Sequence, residues 1–342
     1  MKKALPYILI AIVILLAAGF YIDRTSRMDL LPQKESSDTE SGDTQLKNYG
    51  PAADFVGVSK WLNTDKPISI NNLKGKVVLV DFWTYSCINC IRTLPYITKW
   101  YDTYKDNGLV VIGVHTPEFA AEKVTENVER AIKQHTINYP VAQDNDFKTW
   151  NAYRNRYWPA KYLVDADGTV VYTHFGEGEY DTTEKVIRQL LGLDPQTVST
   201  DTGNALRKPQ TPEIYFGLER LEYFTNNTKP RTTPETFVIP NRLDKHHFAL
   251  EGAWQFDDEK TTLKTGPGKI KLHFQGSKVY MVAGSPIEQS VTAKVDSFNP
   301  TIINISTPTL YTLFDSSEYG DHVLEITIPN AGFEAYTFTF GQ

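Results

Sequence analysis

Val77-Val78-Leu79-Val80-Asp81-Phe82, running on through Trp83-Thr84-Tyr85-Ser86 into Cys87-Ile88-Asn89-Cys90, decides how this chain folds. An apolar, β-branched run of that kind reads as a strand buried on both faces. After Cys90, the apolar residues Ile91, Leu94, Ile97, Tyr101 and Tyr104 recur at helical spacing until Gly108 ends the segment. Cys87 therefore stands where a buried strand hands over to a helix. Unpaired N–H groups and partial positive charge at a helix N-terminus favour a thiolate. Cys90, in the same turn, is close enough to attack a mixed disulfide and release its substrate. Cys87 is thus the expected attacker and Cys90 the more buried resolver. Asp81, near the end of an otherwise apolar strand, would be partly desolvated. That raises its pKa and suits it to exchange a proton with Cys90, the other reading being a satisfied core or edge carboxylate.

Outward from this stretch the pattern alternates. Leu109-Val110-Val111-Ile112-Gly113-Val114 predicts a second buried strand, followed by a helix from about Ala121 to His135 and a shorter one around Phe147 to Tyr153. Lys161 to Val164 and Thr169 to Tyr172 flank Asp165-Ala166-Asp167-Gly168, a hairpin whose Asp-Gly supplies a tight turn. A last helix is expected from about Thr182 to Leu191. Strands alternating with helices in this order predict an α/β domain over residues 51–194, a central sheet with helices on both faces. A connector over 195–212 breaks the pattern. Beyond it, residues 213–342 read as all-β: Ile270, Leu272 and Phe274, then Leu324, Ile326 and Ile328, then Tyr336, Phe338 and Phe340 alternate with polar residues, as in an antiparallel sandwich.

The N-terminus adds a membrane signal. Lys2 and Lys3 precede an uncharged apolar stretch, Ala4 to Ile22, and a bilayer core of ~30 Å needs about 20 such residues as a helix. Residues 1–23 are read as a single transmembrane helix, with a cleaved signal peptide as the alternative because Ala17-Ala18-Gly19 offers small residues for processing. Either way the folded part lies outside the cytoplasm, on a polar, flexible linker over residues 24–50.

Composition excludes several classes. A formal charge of −6 in 342 residues argues against nucleic-acid binding. The two cysteines have no third to bridge, so a disulfide-stapled scaffold is excluded. A structural zinc site wants four ligands, and no second C-x-x-C or H-x₃-H pair is present; His246-His247 has no ligand spacing. Neither a metal nor another cofactor is expected.

Val80 to Pro95, with Gly113-Val114-His115-Thr116-Pro117-Glu118-Phe119 and Phe175-Gly176-Glu177-Gly178-Glu179-Tyr180, resembles DipZ-like members of the thioredoxin superfamily, close to the TlpA/ResA group. The resemblance implies a thioredoxin fold, with a cis-proline at Trp158-Pro159-Ala160 lying against the cysteine pair and shaping the groove where a substrate docks. Trp83, Trp158, Pro159 and His115 are the candidate substrate-binding positions; His115, which ends the second strand, could equally pack beside the sheet. Thr93 stands where the ResA group has an acidic residue, and Asp81 where it often has an amide. Gly217-Leu218-Glu219-Arg220 and Leu250-Glu251-Gly252-Ala253-Trp254 resemble the carbohydrate-binding-module-like domain of DipZ-like proteins. Exposed aromatics among Tyr215, Phe216, Tyr223 and Trp254 would make a cell-wall glycan a partner; core packing is the plainer role for them. Expected partners are protein disulfide substrates and, by the resemblance, a separate CcdA-like membrane electron donor. The expected function is thiol–disulfide exchange, as a reductase. The alternatives are a thiol peroxidase, since Thr84 and Cys87 fit T-x-x-C although Val80 replaces that signature's proline, and a binding module with an inactive thioredoxin domain.

Overall fold

The structure, a computed structural model, describes residues 46–195 and 210–341. The expected membrane helix or signal (1–23), most of the linker (24–50) and most of the connector (195–212) lie outside the described residues. No helix among the described residues is long and apolar enough to cross a membrane.

The sheet of the α/β domain is built on β2 (Val77–Trp83), all of whose residues are buried. It pairs in parallel with β3 (Leu109–His115) and antiparallel with β5 (Ala160–Val164). The full order, β1-β4-β3-β2-β5-β6, adds β4 (Val141–Gln143), β6 (Val170–Phe175) and the edge strand β1 (Lys60–Leu62). Helix α1 (Ile88–Tyr104) follows β2, and α2 (Thr125–Gln134), α3 (Lys148–Ala152) and α4 (Tyr180–Leu190) complete the domain.

Strand side chains alternate between faces, and the two cores follow that alternation. Val78, Val80 and Phe82 pack with Trp150, Tyr153 and Tyr162 on one face. Leu79 and Trp83 pack with Cys90, Leu94, Ile97 and Trp100 of α1 on the other. By the same period Asp81 belongs to the α1 face, beneath the helix that carries the cysteines.

The helix expected over 121–135 is interrupted. Residues Ala120–Lys123 form a 3₁₀ turn, Val124 is extended, and α2 starts at Thr125. The Glu122 side chain turns back to accept the Glu118 and Phe119 amides, which closes the turn where a continuous helix would have run.

The C-terminal region is all-β: β7 (Ile214–Tyr215), β8 (Glu235–Phe237), β9 (Phe248–Phe256), β10 (Thr261–Gly284), β11 (Gln289–Val295), β12 (Thr301–Ile305), β13 (Thr309–Ile328) and β14 (Glu334–Gly341). Its hydrogen bonding runs through one continuous network instead of the two separate sheets of a simple sandwich. The reason lies in β10 and β13, 24 and 20 residues long, which pair along their length with register shifts near Gly276 and Tyr280. Opposed apolar residues, Ile270 with Ile326 and Leu272 with Leu324, feed one core around Trp254, Phe248 and Phe338. Full burial of such side chains contributes ~1.5–3 kcal/mol each.

Candidate active site

Cys87 is the N-cap of α1. Its Sγ accepts a hydrogen bond from the Cys90 amide at 3.3 Å, and its carbonyl accepts from Ile91 N at 3.0 Å. Both thiols are free, Cys87 half-buried and Cys90 buried. The helix thus aims the Cys90 amide at the more accessible sulfur and holds the second, buried one in the same turn. Burial is the main reason the Cys90 thiol is pushed well above its ordinary range. Its hydrogen bond to Cys87, the charge on Cys87 and the charge on Asp81 add to this. Cys90 therefore needs help to lose its proton.

Asp81 is enclosed, and neither carboxylate oxygen has a hydrogen-bond partner among the described residues. Burial raises its pKa to about 7, partly opposed by the positive charge of Lys161. Lys161 stands directly across from it in the β2–β5 register. The lysine is itself buried; its Nζ donates to the Gly176 carbonyl at 3.2 Å and lies 5.8 Å from the Tyr180 ring centre. Burial lowers the lysine's pKa, and Asp81 is the largest influence raising it again. A carboxyl near neutrality on the same face as the buried thiol has the chemistry of a proton acceptor.

Gly113 is the β3 partner of Asp81. A Cβ there would stand 3.0 Å from Trp83 Nε1 and 3.1 Å from Tyr139 Cε2, so only glycine leaves this space open.

The Trp158–Pro159 peptide is cis. Pro159 is buried and its carbonyl accepts from Gly176 N at 2.8 Å. Trp158 is half-buried, lies 4.2 Å from Trp150 centre to centre, and donates from Nε1 to the Thr116 carbonyl at 3.1 Å. Trp158 and Cys87 border the same core. Exposed Tyr157 and Phe175 pair beside this loop, ring centres 5.2 Å apart.

The structure places two of the expected substrate-binding residues inside the domain. Trp83 and His115 are fully enclosed, because both lie on central strands on the face covered by α1. His115 Nε2 lies 3.4 Å from Thr84 Oγ1, and its ring stacks on Tyr85 and meets Trp83 edge-on. Burial lowers its pKa to about 3, so it is neutral at working pH and supports the loop from beneath. Thr93, in the place of the ResA group's acidic residue, donates to the Asn89 carbonyl and meets Tyr180 Oη at 3.2 Å.

Lys161 and Glu122 were not anticipated. Lys161 had a signal: a lone cation in the apolar run Ala160-Lys161-Tyr162-Leu163-Val164, next to a strand carrying a lone acid. Glu122 had none, since it reads as one charge on an amphipathic helix. It is buried, bonded to the Ser86 hydroxyl, and raised to about 7 by burial. In the C-terminal domain Phe216 and Trp254 are core residues, and the Arg220 guanidinium covers the Tyr215 ring at 3.6 Å. Among the described residues no group of three or more His, Cys, Asp or Glu side chains is arranged to hold a metal.

Residues 50–173 match the AhpC/TSA family, and residues 211–341 match the family described as thioredoxin-like C-terminal domain. The chain is 41% identical over 314 residues to Protein DipZ of Mycobacterium bovis, a span of 89% of this chain but 45% of that relative. It is 30% identical over 125 residues to the thiol-disulfide oxidoreductase ResA of Bacillus cereus, covering 36% of this chain and 69% of ResA. It is 28% identical over 147 residues to the thiol-disulfide oxidoreductase YkuV of Bacillus subtilis, covering 43% of this chain and 97% of YkuV.

Proposed function

The chain belongs to the family of ResA-type thiol–disulfide oxidoreductases, and we propose that it is a protein disulfide reductase working through Cys87 and Cys90 with Asp81 as the proton acceptor. The observation that carries this reading is the stacking of roles in depth: a half-buried sulfur at a helix N-cap, a buried sulfur behind it, and a buried carboxyl near neutrality below.

The Cys87 thiolate attacks one sulfur of a substrate disulfide. A Cys87–substrate bond forms, the substrate's S–S bond breaks, and the other substrate sulfur leaves as a thiolate. Cys90 then gives its proton to Asp81 and attacks Cys87 Sγ. The Cys87–Cys90 disulfide forms, the second substrate thiolate leaves, and two electrons have passed to the substrate. Each turnover therefore requires a two-electron donor to restore the dithiol. A CcdA-like membrane protein fits that role, given the apolar Ala4–Ile22 stretch that would anchor the domain outside the cytoplasm. Protein disulfides are the proposed substrates, reaching Cys87 past Trp158 and Pro159.

A glycan partner has less support than a scaffold role for the C-terminal domain, because Phe216 and Trp254 offer no exposed face. A thiol peroxidase is the second reading, favoured by the AhpC/TSA match and by Thr84 standing three residues before Cys87. It requires hydrogen peroxide to be reduced in a first turnover that Cys90→Ser barely alters.

The test is trapping. The full chain carrying Cys90→Ser, mixed with a peptide disulfide, should accumulate a peptide adduct on Cys87, and Cys87→Ser should form none. An adduct that persists in Cys87→Ser, or none in either variant, contradicts the assignment.

A further inference from the structure

The residues leading into Cys87 are held from outside the α/β domain. Tyr85 Oη lies 3.2 Å from the Pro308 carbonyl, in the loop between β12 and β13, and 3.3 Å from the Ala121 carbonyl. Ser86 donates its hydroxyl proton to one oxygen of Glu122, whose other oxygen accepts from the Glu118 and Phe119 amides. The Glu118 side chain then crosses to the β-domain. Its carboxylate meets Arg220 Nη1 at 2.7 Å and accepts from Tyr215 Oη at 3.1 Å. Phe119 packs on Tyr336, ring centres 5.2 Å apart, in a small cluster with Val282. On the other side of the cysteines, the Arg92 guanidinium of α1 lies 5.7 Å from the Tyr280 ring of β10.

A carboxyl enclosed as completely as Glu122 is unfavourable unless its bonds hold something in place. The exchange chemistry makes no use of it, and it shares one short turn with the acid that grips the second domain. We propose that Glu122 is a positioning residue for Cys87, and that the β-domain acts on it through the Glu118–Arg220 pair, making the C-terminal domain a working part of the active centre. The proposal rests on Cys87 being the attacking sulfur. A mere turn cap would affect stability and leave the reactivity of Cys87 untouched; a positioning residue affects both.

The test measures the rate at which iodoacetamide alkylates Cys87 at pH 7 in the full chain, in a Cys90→Ser background. Glu122→Ala and Arg220→Ala should each slow it by roughly two- to tenfold, the span that one lost hydrogen bond carries. Glu122→Gln keeps an acceptor for the two amides and a donor for Ser86, so it should stay near the parent. The Arg220 side chain is 42% exposed, so Arg220→Ala decides the matter if Glu122→Ala does not fold. Parental rates in Arg220→Ala, with near-ultraviolet circular dichroism unchanged, overturn the coupling. Glu122→Gln behaving as Glu122→Ala overturns positioning in favour of a charge effect. A parent alkylated no faster than a free cysteine peptide would instead remove the attacker assignment itself.

Discussion

Asp81→Asn should make the protein more stable and less active, and the stability gain should depend on pH. The folded chain holds the Asp81 proton up to about 7, whereas the unfolded chain releases it near the ordinary value of 3.8. Below that value both states are protonated and burial of the carboxyl carries no ionic penalty. Between the two values the unfolded state binds fewer protons, so stability falls as pH rises; above about 7 the whole penalty is present. A separation of about three pH units corresponds to roughly 4 kcal/mol. That figure is a ceiling, because Lys161 loses the charge that offsets its own burial. Denaturant unfolding of the full chain, followed by tryptophan fluorescence, is a suitable assay, since Trp61, Trp83, Trp100, Trp150 and Trp158 all report on the α/β domain. The asparagine variant should be near parental at pH 4 and more stable by up to about 4 kcal/mol at pH 8. Its disulfide exchange at pH 7 should fall by roughly 10²-fold or more, the contribution of a positioned base. An equal gain at both pH values, or none at pH 8, refutes the reasoning.

Lys161→Met should shift the Asp81 carboxyl towards its protonated form, because the Lys161 charge is what opposes the effect of burial there. Losing an adjacent cation weakens a carboxyl's ionisation by roughly ten- to a thousandfold. The acid limb of the pH–rate profile should therefore move to higher pH, and an unmoved limb measured by stopped-flow exchange counts against the pair. Gly113→Ala should destabilise the domain by about 1–3 kcal/mol through overpacking against Trp83 and Tyr139, read as a lower denaturant midpoint; a neutral substitution would mean that the space beside Asp81 is not closed.

The strand from Val77 was legible because its burial is complete, and the helix after Cys87 because its buried face repeats at helical spacing. The hairpin was legible from the Asp167-Gly168 turn, where Gly168 has positive φ, and the strands around Ile270, Leu324 and Phe338 from their alternation. β1 and β4 were not, as three residues carry no measurable period. The break at Val124 was hidden because Glu122 closes its turn with side-chain bonds, which periodicity does not register. At the site, the cysteines and Asp81 stood out as polar residues in an apolar setting. The burial of Trp83 and His115 was not legible, because strand-end residues look accessible until the covering loop is placed. Lys161 and Glu122 were passed over because single charges read as solvated surface, and only the register and the burial reveal them as partners of Asp81 and Ser86.

The reduction potential of the Cys87/Cys90 couple, measured on the full chain by equilibration with dithiothreitol, tests the central claim most directly. The account predicts a value near ~−270 mV, that of a reductase requiring an electron donor. A value near ~−120 mV would make the protein an oxidant of folding chains and contradict it.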